Sequence, residues 1–235
     1  MKEIKITIVS PRCNSTNIVK NGKKPYKNKQ NYLCKCCSRQ FISDYCLDYK
    51  GCHSSINQRI KNMFVRGLGV RNIAFLEEIS LKKTLSVLIN YCTILSCKQT
   101  YYDCLEIDEF WTFVGKKSNK VWLIYAYHRE TGEIVAWIFG KRNAKTARKL
   151  YKIMKQKGIK WSNLAYNNWR SFKKVFQNEP SLIGKEYTQG IEGNNCRLRH
   201  RMRRVFRKTC NFSKKEENHI KHFELIFHYI NFGFV

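Results

Sequence analysis

Two stretches of this chain carry residue types whose spacing could do chemistry. The first is Leu105-Glu106-Ile107-Asp108-Glu109-Phe110-Trp111-Thr112-Phe113-Val114, which sets three carboxylates inside an apolar run. Such a run reads as a buried strand, where desolvation disfavours an ionised carboxylate. Either the acids face water along an edge strand or a cation meets them; we expect a divalent metal at Asp108. The second is Cys34-Lys35-Cys36-Cys37, in which Cys34 and Cys37 form a Cys-x-x-Cys pair. Two thiolates at that spacing can ligate one tetrahedral zinc from a tight turn. Upstream, Ser10-Pro11-Arg12-Cys13 is a Cys-Pro-x-Cys knuckle with Ser in its first position. Cys13, Cys34 and Cys37 then supply three thiolates, and Ser10 is a poor zinc ligand. The fourth place falls to Cys36, Cys46, Cys52, His53 or water, so zinc is expected to be weakly held or the site decayed. The alternative is a set of free thiols in a small strand-rich module.

Composition narrows the partners. The 235 residues include 45 Lys+Arg against 17 Asp+Glu, a formal net charge of +28. The excess is spread along the whole chain, and such a field favours a polyanion, nucleic acid before a membrane surface. Eleven cysteines is a high and odd count. With no secretory signal in Met1-Lys2-Glu3-Ile4-Lys5, a disulfide framework is not expected, and metal ligation of a subset is. No apolar run reaches membrane-spanning length. The expectation is a cytoplasmic, nucleoid-associated protein.

Three segments must position these residues: 1–50, 51–97 and 98–235. The first reads as a zinc-ribbon-like module in which Lys20-Asn21-Gly22-Lys23-Lys24 marks a basic hairpin turn. In the second, Ile60, Phe64, Val65 and Leu68 form a helical stripe interrupted at Gly67 and Gly69. Val70–Leu76 follows as a short helix. Ser80 can cap a helix from Leu81 to Asn90, with Leu85 and Leu88 inward and Lys82 and Lys83 exposed. This pattern resembles a helix-turn-helix, whose second helix would enter a major groove; a generic helical hairpin would look the same. Arg71, Lys82 and Lys83 are the candidate DNA contacts here.

The third segment reads as strand Leu105–Val114, a basic turn with Lys116 and Lys117, strand Val121–Tyr127, a turn at Arg129–Gly132 and strand Glu133–Gly140. Next come helix Thr146–Lys157 stopped by Gly158, strand Trp161–Tyr166, helix Arg170–Phe176 and a short strand within Leu182–Tyr187. A long basic helix, Ile191–Arg207, ends the series, with Arg203 as a further DNA contact. Three antiparallel strands, a crossover helix, a parallel strand, a helix, a fifth strand and a helix is the order of the ribonuclease-H-like fold. The fold class expected is thus a mixed α/β catalytic domain behind two small N-terminal modules. In that fold acidic residues from strand one, the end of strand four and a late helix hold two divalent metals for phosphoryl transfer. Asp108 lies on strand one and Glu192 near the start of the late helix. Arg199, seven residues on, shares almost the same helical face. Taken alone, Glu192 is equally a favourable charge in a helix's first turn.

Several blocks together resemble the insertion-sequence-one family of transposases. They are Glu106–Lys117, Arg129–Gly132 with Phe139–Arg142, Tyr187-Thr188-Gln189 with Ile191-Glu192, and Asn194-Asn195 with Leu198-Arg199. Arg207-Lys208-Thr209 with Phe212-Ser213-Lys214, the N-terminal knuckles, Lys20–Lys23 and Arg39-Gln40-Phe41 add to the likeness. The resemblance covers nearly the whole chain. It implies a DNA-cutting and strand-joining enzyme that uses magnesium or manganese and works as a homo-oligomer on element ends and target DNA. It also implies an acidic triad at Asp108, the position two before Trp169, and Glu192. That second position is Asn167, and no Asp or Glu occurs from Ile134 to Asn178 to replace it. Gly190 and Gly193 stand where the family usually carries Arg. With Ser10, these departures fall in both expected sites, and the chain reads as a transposase with impaired chemistry or as a relative that only binds DNA.

Overall fold

The computed structural model describes residues 7–24, 29–42, 50–92, 96–205 and 212–235. Met1–Lys5, Cys46 and the Arg207-Lys208-Thr209 block lie outside the described residues. The chain divides into two compact units, Met1–Ile60 with Val70–Val87, and Lys61–Gly69 with Leu88–Val235.

The first unit opens with a three-stranded antiparallel sheet, β1 (Ile18–Lys24), β2 (Lys29–Cys34) and β3 (Gln40–Ile42), in that order. The turn expected at Lys20–Lys24 is instead a bulge, because β1 runs through it with a register shift between Lys20 and Lys23. Gly22 takes a positive φ of 66°, which glycine adopts without strain, and so absorbs the extra residue. The carbonyls freed there are recovered by β2: Gln30 donates to Gly22 O at 2.8 Å and Asn31 to Asn21 O at 3.1 Å. Three helices follow along the chain, α1 (Ile56–Val65), α2 (Val70–Leu76) and α3 (Leu81–Ile89), of which residues 61–65 and 88–89 belong to the second unit. Ser80 caps α3 as expected, its Oγ accepting from Lys83 N at 3.1 Å. Arg59 of α1 forks onto the buried Glu77 carboxylate, with Nη2 at 2.6 Å, and ties α1 to the turn after α2.

The second unit is built on a five-stranded sheet in the order β6-β5-β4-β7-β8. Its strands are β4 (Tyr101–Phe113), β5 (Lys120–His128), β6 (Glu133–Gly140), β7 (Lys160–Tyr166) and β8 (Ser181–Ile183). The first three run antiparallel and the last two parallel to β4. The crossover from β6 to β7 is α4 (Ala144–Gln156), capped by Asn143 Oδ1 on Thr146 N at 3.0 Å. Its buried Ala147, Leu150 and Met154 join Leu105, Ile107, Ile124, Ala126 and Leu164 in the core. After α5 (Arg170–Val175) and β8, α6 (Gln189–Arg201) returns over the sheet. The expected order of elements is therefore present.

Three boundaries differ from the sequence reading by more than two residues. β4 starts at Tyr101, four residues before Leu105. Leu182–Tyr187 is divided between β8 and a 3-10 turn at Lys185–Tyr187. The late helix stops at Arg201, because Met202 turns to extended angles (φ −127°, ψ 90°), so Arg203 lies in a following 3-10 turn and not on the helix. One element was not anticipated, α7 (Glu216–Phe232). It packs Phe223 against Phe139 and Phe227 against Trp137, each with ring centroids 5.2 Å apart. Asn231 secures its end by bonding both the N–H and the carbonyl of Ile134.

Candidate functional site

The parallel register between β4 and β7 creates the site. Ile107 lies opposite Tyr166, so the next residue of each chain, Asp108 and Asn167, emerges at the same level. Asn167 has just left the strand and is oriented by its own chain, its Oδ1 accepting from Trp169 N at 3.0 Å. The opposite end of that amide points at the acids: Nδ2 donates to Asp108 Oδ1 at 3.2 Å and to Glu109 Oε2 at 3.4 Å.

The second wall comes from α6. Glu106, buried on β4, accepts from Ile191 N at 2.6 Å and so docks the helix's first turn. Tyr125, paired with Asp108 across β5, donates to Asn195 Oδ1 at 2.8 Å and receives Asn194 Nδ2 at 3.3 Å. Asn195 Nδ2 then donates to Asp108 Oδ2 at 2.8 Å. The buried face of α6 is thus Ile191, Asn194, Asn195 and Leu198. Glu192, one position off that face, is exposed, yet its charge reaches Asp108 and Glu106. Arg199 lies over the Phe110 ring at 4.8 Å. Glu109 is held from the other side by Arg142, at 2.5 Å from Nη2, and that guanidinium packs on the rings of Trp169 and Trp122.

Burial, with the charge of Glu109 behind it, pushes Asp108 up to about 7, against the pull of the Asn195 amide. Glu106 is likewise raised by burial, and the Ile191 N–H works against that shift. The donor set does not match the pair of divalent ions that the resemblance implies. Hard cations need convergent oxygens. Here position 167 presents N–H groups, both Asp108 oxygens already accept amide donors, and Glu192 is turned to solvent. Among the described residues, the acids at this point do not bring three ligand oxygens within 4.8 Å of one another.

The first unit holds a separate cluster. Cys13, Cys34 and Cys37 bring their sulfurs within 4.8 Å of one another. Each second cysteine of a knuckle precedes a left-handed residue, Asn14 (φ 57°) or Ser38 (φ 54°), which curls the chain back. The fourth vertex, left open by the sequence, is taken by Ser10 itself. Its side chain is fully buried, with Oγ 3.5 Å from Cys37 Sγ. Cys36 turns away to Ser15, and Cys52 receives Arg39. Burial alone would raise the Cys34 thiol, but backbone N–H groups of Cys37 and Cys36, with Cys13 and Ser10, bring it down to about 6. The sulfurs of a tetrahedral zinc site lie about 3.8 Å apart, given metal–sulfur bonds near 2.3 Å. Cys13 and Cys34 are 3.6 Å apart, so these residues fit the ion.

The remaining expected residues are dispersed. Arg71 and Lys82 are exposed on α2 and α3, Lys116 and Lys117 on the β4–β5 turn, and Arg203 beyond α6. Lys83, expected to be exposed, is half-buried because its Nζ bonds Asn57 Oδ1 at 2.7 Å. Sequence reasoning gave no role to Tyr125, Arg142 and Asn195. Arg142 and Asn195 lie in blocks that carry the resemblance, and Asn195 also falls four residues after the buried Ile191, one turn along the same face.

Residues 102–234 match the profile of the IS1 transposase family. The chain is 40% identical over 116 residues to the insertion element iso-IS1n protein InsB of Shigella dysenteriae, covering 49% of this chain and 87% of that protein. It is 36% identical over 129 residues to the insertion element IS1 2 protein InsB of Escherichia coli K12, covering 54% of this chain and 74% of that protein. Among solved structures it is similar, at TM-score 0.39 and 10% identity, to a chain of the simian T-cell lymphotropic virus intasome in complex with PP2A regulatory subunit B56 gamma. That likeness covers 71% of this chain and 67% of the other.

Proposed function

The chain belongs to the IS1 transposase family, and from that premise we propose that it binds the DNA of an insertion element while its cleavage and strand-transfer step is impaired. The observation that carries this reading is the meeting of Asp108, midway along β4, with Asn167 just past the end of β7, beside the helix that bears Glu192. The strand order and the crossover helix support a ribonuclease-H-like second unit, with Asp108, position 167 and Glu192 as its triad and Arg199 facing the DNA phosphate. The capped α2–α3 pair supports a helix-turn-helix, and the thiol cluster supports a zinc-ribbon-like module. In it Cys13, Cys34, Cys37 and Ser10 would hold zinc, which supplies a fixed tetrahedral crosslink between the two knuckles.

DNA binding rests on the net charge of +28. Arg71, Lys82, Lys116, Lys117 and Arg203 offer exposed cations to phosphates, and Lys83 can do so only by releasing Asn57. The protein then acts as a homo-oligomer on element ends in the cytoplasm, associated with the nucleoid. The family's chemistry draws on magnesium or manganese held by acidic ligands. Position 167 here offers a neutral amide turned nitrogen-first, and this is why we read the step as impaired.

The test is strand transfer on end-containing DNA with magnesium or manganese, run beside a binding assay at several salt concentrations. The expected result is salt-sensitive binding, each phosphate contact adding roughly −0.9 to the slope of log affinity against log salt. Joined product should be near background for wild type and present for Asn167→Asp. Asp108→Ala or Glu192→Ala in the restored protein should abolish it again. Robust wild-type joining, or no DNA affinity at low salt, overturns the proposal.

A further inference from the structure

The hydrogen bonds at Asp108 point to more than a lost charge. Four carboxylate oxygens of mid-β4 meet where β7 ends, and each accepts from a side chain of this protein. Asp108 Oδ1 takes Asn167, Asp108 Oδ2 takes Asn195, Glu109 Oε2 takes Asn167, and Glu109 Oε1 takes Arg142. Neither amide can turn round without loss. Rotating Asn167 would set its NH2 against the Trp169 N–H and its carbonyl oxygen against two carboxylates. Rotating Asn195 would set its carbonyl oxygen against Asp108, and its NH2 would displace the Tyr125 hydroxyl hydrogen that now bonds its oxygen. The orientation of both donors is therefore fixed by a third group outside the acid cluster.

We infer that Asn167 and Asn195 form an internal substitute for a cation, a metal-independent clasp that joins β4, β7 and α6 through Asp108. The inference deepens the proposed function by saying what holds the site together in place of an ion. An acid at position 167 would bring a third carboxylate to Asp108 and Glu109, and above pH 7, where a shared proton no longer relieves them, like charges this close need a cation between them. The amide replaces both at once: it removes one charge and supplies the N–H groups that the remaining oxygens need. The chain Asn194–Tyr125–Asn195–Asp108 then carries the same bonding into the buried face of α6. The clasp gives the site a folded, closed state with no ion present.

Thermal melting of the full chain tests this. With free zinc buffered at one level throughout, wild type should melt at the same temperature in chelator and in millimolar magnesium or manganese, and calorimetric titration with manganese should show no heat assignable to this site. Asn167→Asp should melt roughly 5–10 °C lower in chelator and recover most of the loss with magnesium. Asn167→Ala, which removes the donor and adds no charge, should be destabilised without any rescue by metal. A wild type stabilised by magnesium in a dose-dependent way overturns the inference, as does an Asn167→Asp protein that melts no lower in chelator. Should Asn167→Asp fail to fold, equal melting of Asn167→Ala and wild type would overturn it. Metal-rescued melting of Asn167→Asp with no strand transfer would leave the clasp standing and count against the functional reading alone.

Discussion

The two clusters of this molecule each carry one residue in place of an expected ligand, and the structure treats the two losses in opposite ways. At the thiol cluster, Ser10 keeps the vertex: a hydroxyl oxygen with lone pairs stands where a thiolate would, 3.5 Å from Cys37 Sγ. At the acid cluster, Asn167 reverses the polarity: N–H groups stand where carboxylate oxygens would. The first exchange replaces one electron-pair donor by a weaker one, so a cation there would be held less tightly in the same place. The second replaces an acceptor by a donor, so the neighbours bond to it and the place for the ion is gone. What matters is whether neighbouring groups have closed around the substitute.

The largest effect expected is at the cluster that kept its geometry. Replacing Cys34 by Ser should lower zinc affinity by more than about 100-fold, measured by chelator competition on the full chain. Cys34 is held at about 6 while the neighbouring Cys13 thiol is raised, so wild-type affinity should climb from about pH 5 and go on climbing above pH 7 as the remaining thiol ionises. If Cys34→Ser binds zinc as tightly as wild type, the cluster is not the site.

The acid cluster should give a pH signature of opposite sense. Asp108 sits at about 7 in the folded protein against 3.8 ordinarily, so the native state holds this proton more tightly than the unfolded chain. Its stabilising contribution is complete below about pH 4 and is lost as pH rises to 7. The loss is on the order of 3 kcal/mol, since each tenfold gain in proton affinity is worth about 1.4 kcal/mol and partial exposure reduces the total. Melting curves of wild type and Asp108→Asn across pH 4 to 8 should converge in slope only above 7. Parallel curves throughout would show that Asp108 is not the perturbed group.

Gly190 belongs with the closed class. A Cβ there would come within 2.6 Å of Glu106 Oε1 and 2.8 Å of Arg129 Cγ, because both side chains occupy the volume that a larger residue would fill. Gly190→Arg should therefore cost about 2 kcal/mol by forcing Glu106 off the Ile191 N–H. Denaturant melts that match wild type would mean that Glu106 yields freely. Ser10→Cys, which puts a thiolate at the vertex that Ser10 now occupies, should raise zinc affinity about tenfold by the same chelator competition.

How far the sequence foretold this molecule follows the strength of its local patterns. Glu133–Gly140 was legible to the residue, because an Arg-Glu-Thr-Gly turn and a run of β-branched and aromatic residues bound it. Asp108 was legible because a carboxylate inside an apolar run is costly and therefore conspicuous. Helix α7 was not legible: Phe223, Leu225, Ile226 and Phe227 with His219 and His222 bury it on several sides, which erases the 3.6-residue stripe. The end of α6 was misplaced because Met202 and Val205 continue the apolar spacing after the backbone has turned extended at Met202. The role of Asn195 needed the pairing of Asp108 with Tyr125, a contact between strands that sequence spacing does not contain.

Gly193 supplies the control for the difference between closed and open losses, and the smallest effect. It lies on the same helix as Gly190, three residues on, yet nothing stands within 4 Å of the Cβ it lacks. It has no positive φ to relieve. Glycine in a helix interior costs roughly 0.5–1 kcal/mol relative to alanine, through the backbone freedom it surrenders on folding. Gly193→Ala and Gly193→Arg should therefore both stabilise the chain by about that amount. The arginine variant adds a cation next to the exposed Glu192 and should also steepen the salt dependence of DNA binding by up to about one phosphate contact. Equal destabilisation by Gly190→Arg and Gly193→Arg would remove the distinction between a gap its neighbours have filled and one they have left, and with it the reason for expecting the two clusters to respond differently to repair.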